Sequence, residues 1–136
     1  MYETFEHTAD LGLRIRAADL DTLFAEAALA LASVLVEDPA TVRPLEAITV
    51  QLEGTEPDLL LFDWLRELLY RFDAGHRLFS RFAVTVRPDG LTATAWGEPL
   101  NRDRHRLEHE VKAITYHGLH VAPVEGGWQA EVIVDI

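Results

Sequence analysis

The residues best suited to chemistry in this sequence are a few carboxylates and a single lysine. Asp10 sits in His7-Thr8-Ala9-Asp10-Leu11-Gly12, a polar stretch between two strand-like runs. Its side chain either closes a turn by hydrogen-bonding its own backbone or faces a ligand. Asp135 lies in the ending Val132-Ile133-Val134-Asp135-Ile136. On a strand it points away from Val134 and Ile136, and the main-chain carboxylate of Ile136 is one residue away. Two carboxylates this close repel unless a cation or a basic group neutralises them. A frayed end is the plain alternative, but an apolar β run up to the last residue speaks against it. Lys112 lies in Glu110-Val111-Lys112-Ala113-Ile114-Thr115-Tyr116-His117. Strand alternation puts Lys112, Ile114 and Tyr116 on one face and Val111, Ala113, Thr115 and His117 on the other. Of the 12 basic residues only this one is lysine. It is either a charge guarding an edge strand or a compact ammonium that an arginine would not replace.

The histidines are weaker candidates. His105 and His109 would share a helix face and could pair on a metal, but a third ligand is missing and residues 101–110 read as a polar connection. His117 and His120 face opposite sides of a strand, and His76 falls in a turn. There is no glycine-rich phosphate loop, no G-x-S-x-G elbow and no H-E-x-x-H motif. Ser33 and Ser80 are the only serines, and neither has a nucleophile's setting, which argues against a Ser/His/Asp hydrolase. The absence of cysteine removes thiol catalysis, Cys-ligated zinc and disulfides together.

These residues have to be positioned by a scaffold of 136 residues, 49% of them hydrophobic. That length predicts one domain, residues 1–136, burying roughly two thirds of its unfolded surface. A helix is expected after Asp19, a good N-cap, with Leu20, Leu23, Phe24, Ala27, Ala28, Leu31, Val34 and Leu35 at helical spacing and Pro39 closing it. A second is expected from Thr55-Glu56-Pro57-Asp58, where Thr55 and Asp58 have capping-box spacing. Leu60, Trp64, Leu65, Leu68, Leu69 and Phe72 form its inner face, and Gly75 is the expected stop. Residues 11–17, 48–52, 82–87, 91–96, 111–121 and 128–136 alternate with period two, with turns at Pro88-Asp89-Gly90 and Glu125-Gly126-Gly127. The pattern is α+β, a largely antiparallel sheet with two helices packed on it.

The formal charge of −11 at pH 7 argues against direct nucleic-acid binding and against adhesion to an anionic membrane. The N-terminus lacks the basic residues of a signal peptide, and no apolar stretch approaches the roughly twenty residues of a span. A soluble, cytoplasmic protein is expected.

The chain resembles the archease family. The segments that carry the resemblance are Tyr2-Glu3-Thr4-Phe5-Glu6-His7-Thr8-Ala9-Asp10, Leu23-Phe24-Ala25-Glu26-Ala27-Ala28, and Leu59-Leu60 through Trp64-Leu65-Arg66-Glu67-Leu68-Leu69-Tyr70. Gly97-Glu98, the Lys112 segment and the ending Val132-Ile133-Val134-Asp135-Ile136 complete it. The resemblance implies a compact domain related to the strand-helix-strand-strand module. It also implies an accessory, chaperone-like protein, not an enzyme, that activates an RtcB-type RNA ligase in tRNA splicing. Such proteins promote guanylylation of the ligase by GTP and its multiple turnover. Carried over by position, the family's metal site is Asp10, Asp135 and the Ile136 carboxylate, and the strand lysine implicated in activation is Lys112. His7, Glu98 and His105 match other recurrent polar positions. Asn101 departs from the acidic residue expected before the His105 segment, which weakens a further carboxylate ligand from that loop.

All the implied ligands are oxygens, which favours Ca²⁺, Mg²⁺ or Mn²⁺ over zinc. Two rival readings stay open. One is a metal-dependent phosphoesterase or phosphotransferase using Asp10, Asp135 and Lys112, with His7 or His117 as base. The other is a metal-free protein-interaction module. Apolar residues on the sheet face away from the helices could support a homo-oligomer.

Overall fold

The computed structural model describes residues 1–7 and 10–136, and only the backbone of His7. The element order is β1 (Tyr2–His7), β2 (Asp10–Ala17), α1 (Leu20–Leu35), β3 (Glu46–Glu53), α2 (Pro57–Gly75), β4 (Arg77–Arg87), β5 (Gly90–Pro99), β6 (Ala113–Ile114), β7 (His120–Val124) and β8 (Gly127–Asp135). A short 3₁₀ turn, Pro39–Thr41, follows α1. Every strand pairing described is antiparallel. The strands form two sheets where one was expected: β1-β2-β8-β6, with β7 also on β8, and β3-β5-β4. Helix α1 packs on β2 of the first sheet and on β4 of the second, so it joins them, and α2 lies beside it.

Local chemistry explains both helices. Asp19 is extended, and its carboxylate accepts the Thr22 N–H at 2.8 Å, capping α1 as expected. That charge-assisted bond lowers the Asp19 pKa. The expected cap of α2 does not form. Its N-cap is Glu56, which makes no side-chain cap bond, and Pro57 fills the first helical position. Asp58 instead accepts the Val121 N–H of β7 at 3.2 Å, so a tertiary contact has taken the side chain that the local motif would use. The helix ends at Gly75 as expected, but the left-handed residue that closes it is the next one. His76 takes the left-handed conformation, φ 53° and ψ 39°, and its N–H closes on Phe72 O at 2.9 Å.

The core between helices and sheets includes Leu13, Ile15, Phe24, Leu61, Leu91 and Val132, all inaccessible to solvent. Trp64 lies among them, and its indole N–H donates to Phe24 O at 3.0 Å, which satisfies the one polar atom of a fully buried side chain. Both predicted turns join hairpins, β4–β5 and β7–β8. Gly126 supplies the positive φ, 82°, that the second one needs.

The expected strand over residues 111–121 is broken into β6 and β7, both on the same edge of β8. Val111 and Ile114 are both buried, three residues apart, so the segment does not alternate. Gly118, at φ 67°, turns the chain between the two short strands, and Leu119 N–H reaches Tyr116 O. Thr115 donates both its N–H and its hydroxyl to Ile133 O, at 3.0 and 2.9 Å, which holds this turn to the sheet. No described helix is long and apolar enough to cross a membrane.

Candidate functional site

Strand register brings the two candidate aspartates together from opposite ends of the chain. In the β2–β8 pair Asp10 stands directly opposite Asp135, followed by Leu11 opposite Val134 and Leu13 opposite Val132. Directly opposed residues project to the same face, with Cβ atoms about 5 Å apart. Leu13, Val132 and Val134 face the core. Asp10 and Asp135 therefore share the outer face, and both are half-buried. The backbone of His7 pairs with Asp10. The side chain of His7, and Thr8 and Ala9 of the same motif, lie outside the described residues.

The lysine arrives from the other edge of β8. Ala113 pairs with Asp135, and Lys112 N–H donates to Asp135 O at 2.7 Å. Its side chain is exposed, at the same end of the sheet as both aspartates. Ile136 is half-buried and packs against the core, which continues the order of β8 to the last residue. Among the described residues no three His, Cys, Asp or Glu side chains form a group able to hold a metal. Among the described residues the side-chain carboxylates at this end are those of Asp10 and Asp135. An all-oxygen set of this kind suits a hard divalent cation.

The floor beside Asp10 is built by Gly12 and Phe5. These two pair across β1 and β2, and a Cβ at position 12 would lie 2.2 Å from the Phe5 ring. The glycine of the His7–Gly12 run is therefore needed to let the ring lie flat over the strand. Arg14 stacks on that ring, 4.7 Å from its centroid, and bonds to Glu3 at 3.1 Å and Glu131 at 3.3 Å. The hydrogen bonds to Glu3 and Glu131 raise the Arg14 pKa.

Glu98, near the end of β5 in the other sheet, and His105, in the loop that follows, also come together. They are the two buried polar side chains among the described residues, 3% and 2% exposed. Glu98 accepts the Arg43 N–H at 2.7 Å, two bonds from the Arg43 guanidinium at 3.1 Å each, one from Arg104, and His105 Nε2 at 3.0 Å. Burial pushes the Glu98 carboxyl up, but the Arg43 N–H and the Arg104, Arg43 and His105 side chains outweigh it and leave the pKa at about 2. Asn101 N–H donates to His105 Nδ1 at 2.9 Å, so Nδ1 carries no proton and Nε2 is the donor to Glu98. This occupies both ring nitrogens. The paired metal role with His109 fails for a second reason too: residues 105 and 109 are not on a helix. Asn101 is a turn residue, its amide oxygen accepting the Asp103 N–H.

The cluster anchors the connection that delivers Lys112. Beyond His105, Glu108 and His109 donate to Leu35 O and Val34 O at the end of α1, and Glu37 N–H reaches Arg106 O. Arg43 and Arg104 were not distinguishable in the sequence from nine other arginines, because their partner is a buried carboxylate far along the chain. The serines are structural, Ser33 bonding to Ala30 O and Ser80 to Val42 O.

Residues 2–136 match the Archease protein family. "Protein archease" of Methanopyrus kandleri is 40% identical over 139 residues, covering 99% of each chain. The Pyrococcus furiosus protein of the same name is 36% identical over 140 residues, covering 99% of this chain and 98% of its own. The solution structure of Methanobacterium thermoautotrophicum protein 1598 is 34% identical with a TM-score of 0.82, covering 99% of this chain and 98% of that one. A crystal structure from Thermotoga maritima, described as an archease and possible chaperone, shares the fold at a TM-score of 0.65 and 19% identity, covering 100% of this chain and 98% of that one. With whole-length relatives of this identity and a family match from the second residue to the last, the chain belongs to the archease family.

Proposed function

We propose that this protein is a non-catalytic accessory factor that activates an RtcB-type RNA ligase in tRNA splicing, promoting GTP-dependent guanylylation of the ligase and its multiple turnover. The observation that carries this reading is the juxtaposition of Asp10 and Asp135 across β2 and β8, with the Lys112 main-chain N–H donating to the Asp135 main-chain O at the same end of the sheet. Asp10, Asp135 and the Ile136 carboxylate would hold a divalent cation, Ca²⁺ or alternatively Mg²⁺ or Mn²⁺. Such a cation neutralises triphosphate charge when bound. The site lies on the outer face of a sheet, which suits chemistry completed by a partner more than an enclosed active site of its own. With a net charge of −11 the chain does not itself hold RNA; the basic surface belongs to the ligase.

The test is guanylylation of the cognate ligase with GTP, with and without this protein. Asp10→Ala and Asp135→Ala are expected to abolish stimulation while the domain stays folded. Undiminished stimulation by either variant would refute the role. Calorimetric titration with Ca²⁺ and Mn²⁺ reads the metal directly. Extending the chain past Ile136 turns its carboxylate into an amide and should weaken both binding and stimulation.

A further inference from the structure

Helix α2 buries one side fully, while Leu59, Asp63, Arg66 and Tyr70 follow one another in solvent on the opposite side, at the spacing of a single stripe. The solvent side of a surface helix ordinarily carries charged and polar residues. This one carries a leucine 44% exposed and a tyrosine 62% exposed. Beside it the turn after β6 holds Tyr116, 60% exposed, with its ring stacked on Phe62 at 3.9 Å and 17°. The Arg66 guanidinium lies 6.0 Å from the centroid of the same Phe62 ring. Tyr116 is thus held in place by stacking before any partner arrives. Ordered Tyr and Arg side chains are the types that dominate binding at protein interfaces, since they offer large area at small entropy cost. Two open concavities flank the stripe. One, of about 460 Å³, lies between Leu59, Tyr116 and Leu119, and the other, of about 380 Å³, between Leu52, Asp63 and Tyr70.

Charge selects the occupant. From Glu56 to Asp73 the helix and its entry bring five carboxylates against two guanidiniums, Arg66 and Arg71. Burial and the neighbouring Glu110 push the Asp73 carboxyl up, so negative charge is crowded at the end of α2. The outer face of the three-stranded sheet is balanced instead: Arg81 and Arg87 stand there with Glu53 among threonines, and Arg87 pairs with Asp89 of the adjoining turn at 3.7 Å. A basic macromolecule is steered to α2 in preference to that sheet.

We propose that the Leu59–Tyr70 stripe of α2, with Tyr116, docks a basic face of a protein partner. The two tyrosines supply contact area and the surrounding carboxylates supply steering. The proposal rests on the reading above in taking the RtcB-type ligase as that partner. It separates docking on α2 from activation at Asp10, Asp135 and Lys112.

The experiment measures the dissociation constant of the purified ligase for wild type, for Tyr70→Ser combined with Tyr116→Ser, for Asp63→Lys, and for Thr85→Ser as a control on the other sheet. The double variant is expected to bind at least about tenfold more weakly. Its stimulation should recover to the wild-type maximum at higher concentration, because the activating residues are intact. Asp63→Lys should slow association at low salt and have little effect at high salt. Far-UV circular dichroism and Trp64 fluorescence verify folding, and Leu59→Ser is the second probe should the tyrosine pair unfold. Wild-type binding with affinities within twofold for all folded variants overturns the docking surface alone. No binding by wild type overturns the choice of ligase and this proposal with it. Loss of a self-associated form in the double variant, with ligase affinity unchanged, assigns the stripe to a second copy and also overturns it.

Discussion

Glu98→Gln tests how much of this fold rests on one buried charge. The carboxyl falls from its ordinary 4.5 to about 2 in the folded protein. At about 1.36 kcal/mol per pH unit this sets a ceiling of about 3 kcal/mol. The ceiling has to be discounted, because the Arg43 and Arg104 side chains that hold Glu98 are 55% and 35% exposed and partly screened by solvent. About 1–2 kcal/mol is the expected contribution. A depressed carboxylate pKa stabilises the fold fully above the unfolded value of 4.5, and the contribution is lost as pH falls toward 2. Urea unfolding of wild type and Glu98→Gln, followed by tryptophan fluorescence at several pH values, reads this directly. The gap in unfolding free energy should be constant above pH 4.5 and close as pH falls toward 2. Every other carboxylate titrates in both proteins and cancels in the difference. A gap that keeps its size down to pH 2, or no gap at pH 7, refutes the electrostatic account and leaves only packing.

Three further outcomes follow from the same geometry. Gly97→Ala places a Cβ 1.8 Å from Leu78 O, a backbone atom that cannot swing aside, and should cost about 3 kcal/mol, seen as a fall of about 10 °C in Tm. Trp64→Phe removes the indole's bond to Phe24 O and leaves a void where the larger ring was fully buried, and should cost about 2–3 kcal/mol by urea denaturation. Lys112→Arg keeps the net charge, and the Lys112 N–H bond to Asp135 is a main-chain bond that survives. It should therefore leave Ca²⁺ or Mn²⁺ affinity unchanged in calorimetry while lowering stimulation of ligase guanylylation, since a forked guanidinium does not replace a compact ammonium.

The elements of the fold were legible where the chain decides them locally, and illegible where distant residues do. Asp19 capped α1 because its partner, Thr22, is three residues away. Thr55 and Asp58 had equally good spacing, yet Asp58 went to Val121, sixty-three residues on, because covering an N–H at the edge of β7 outweighed a local cap. The same asymmetry explains the strand over residues 111–121. Its apolar content is that of a β run, but the residues leading into it, Glu108 and His109, are held by the end of α1 and the pair Ala113–Ile114 by β8. Gly118 was the local sign that the strand would break, and it was masked by the apolar residues on either side. Glu98 gave no sign of its burial, since a carboxylate near the end of a strand ordinarily faces water; it is interior because two loops bring Arg43, Arg104 and His105 over it.

The candidate site falls between these cases. Alternation indicated which side chains of β2 and β8 face outward, but not that the two strands pair, nor in what register. A slip of one residue in that pairing would send Asp10 to the core face and Leu11 to solvent. The register is held instead by Leu13, Ile15, Ala130, Val132 and Val134, all fully buried. The position of the two aspartates is thus a consequence of the core several residues away. This predicts that core substitutions which keep volume, such as Val132→Ile with Leu13→Val, leave metal binding at Asp10 and Asp135 intact. A core change that shifts register removes it without touching a ligand, and comparing metal affinity by calorimetry with strand pairing by amide exchange distinguishes the two.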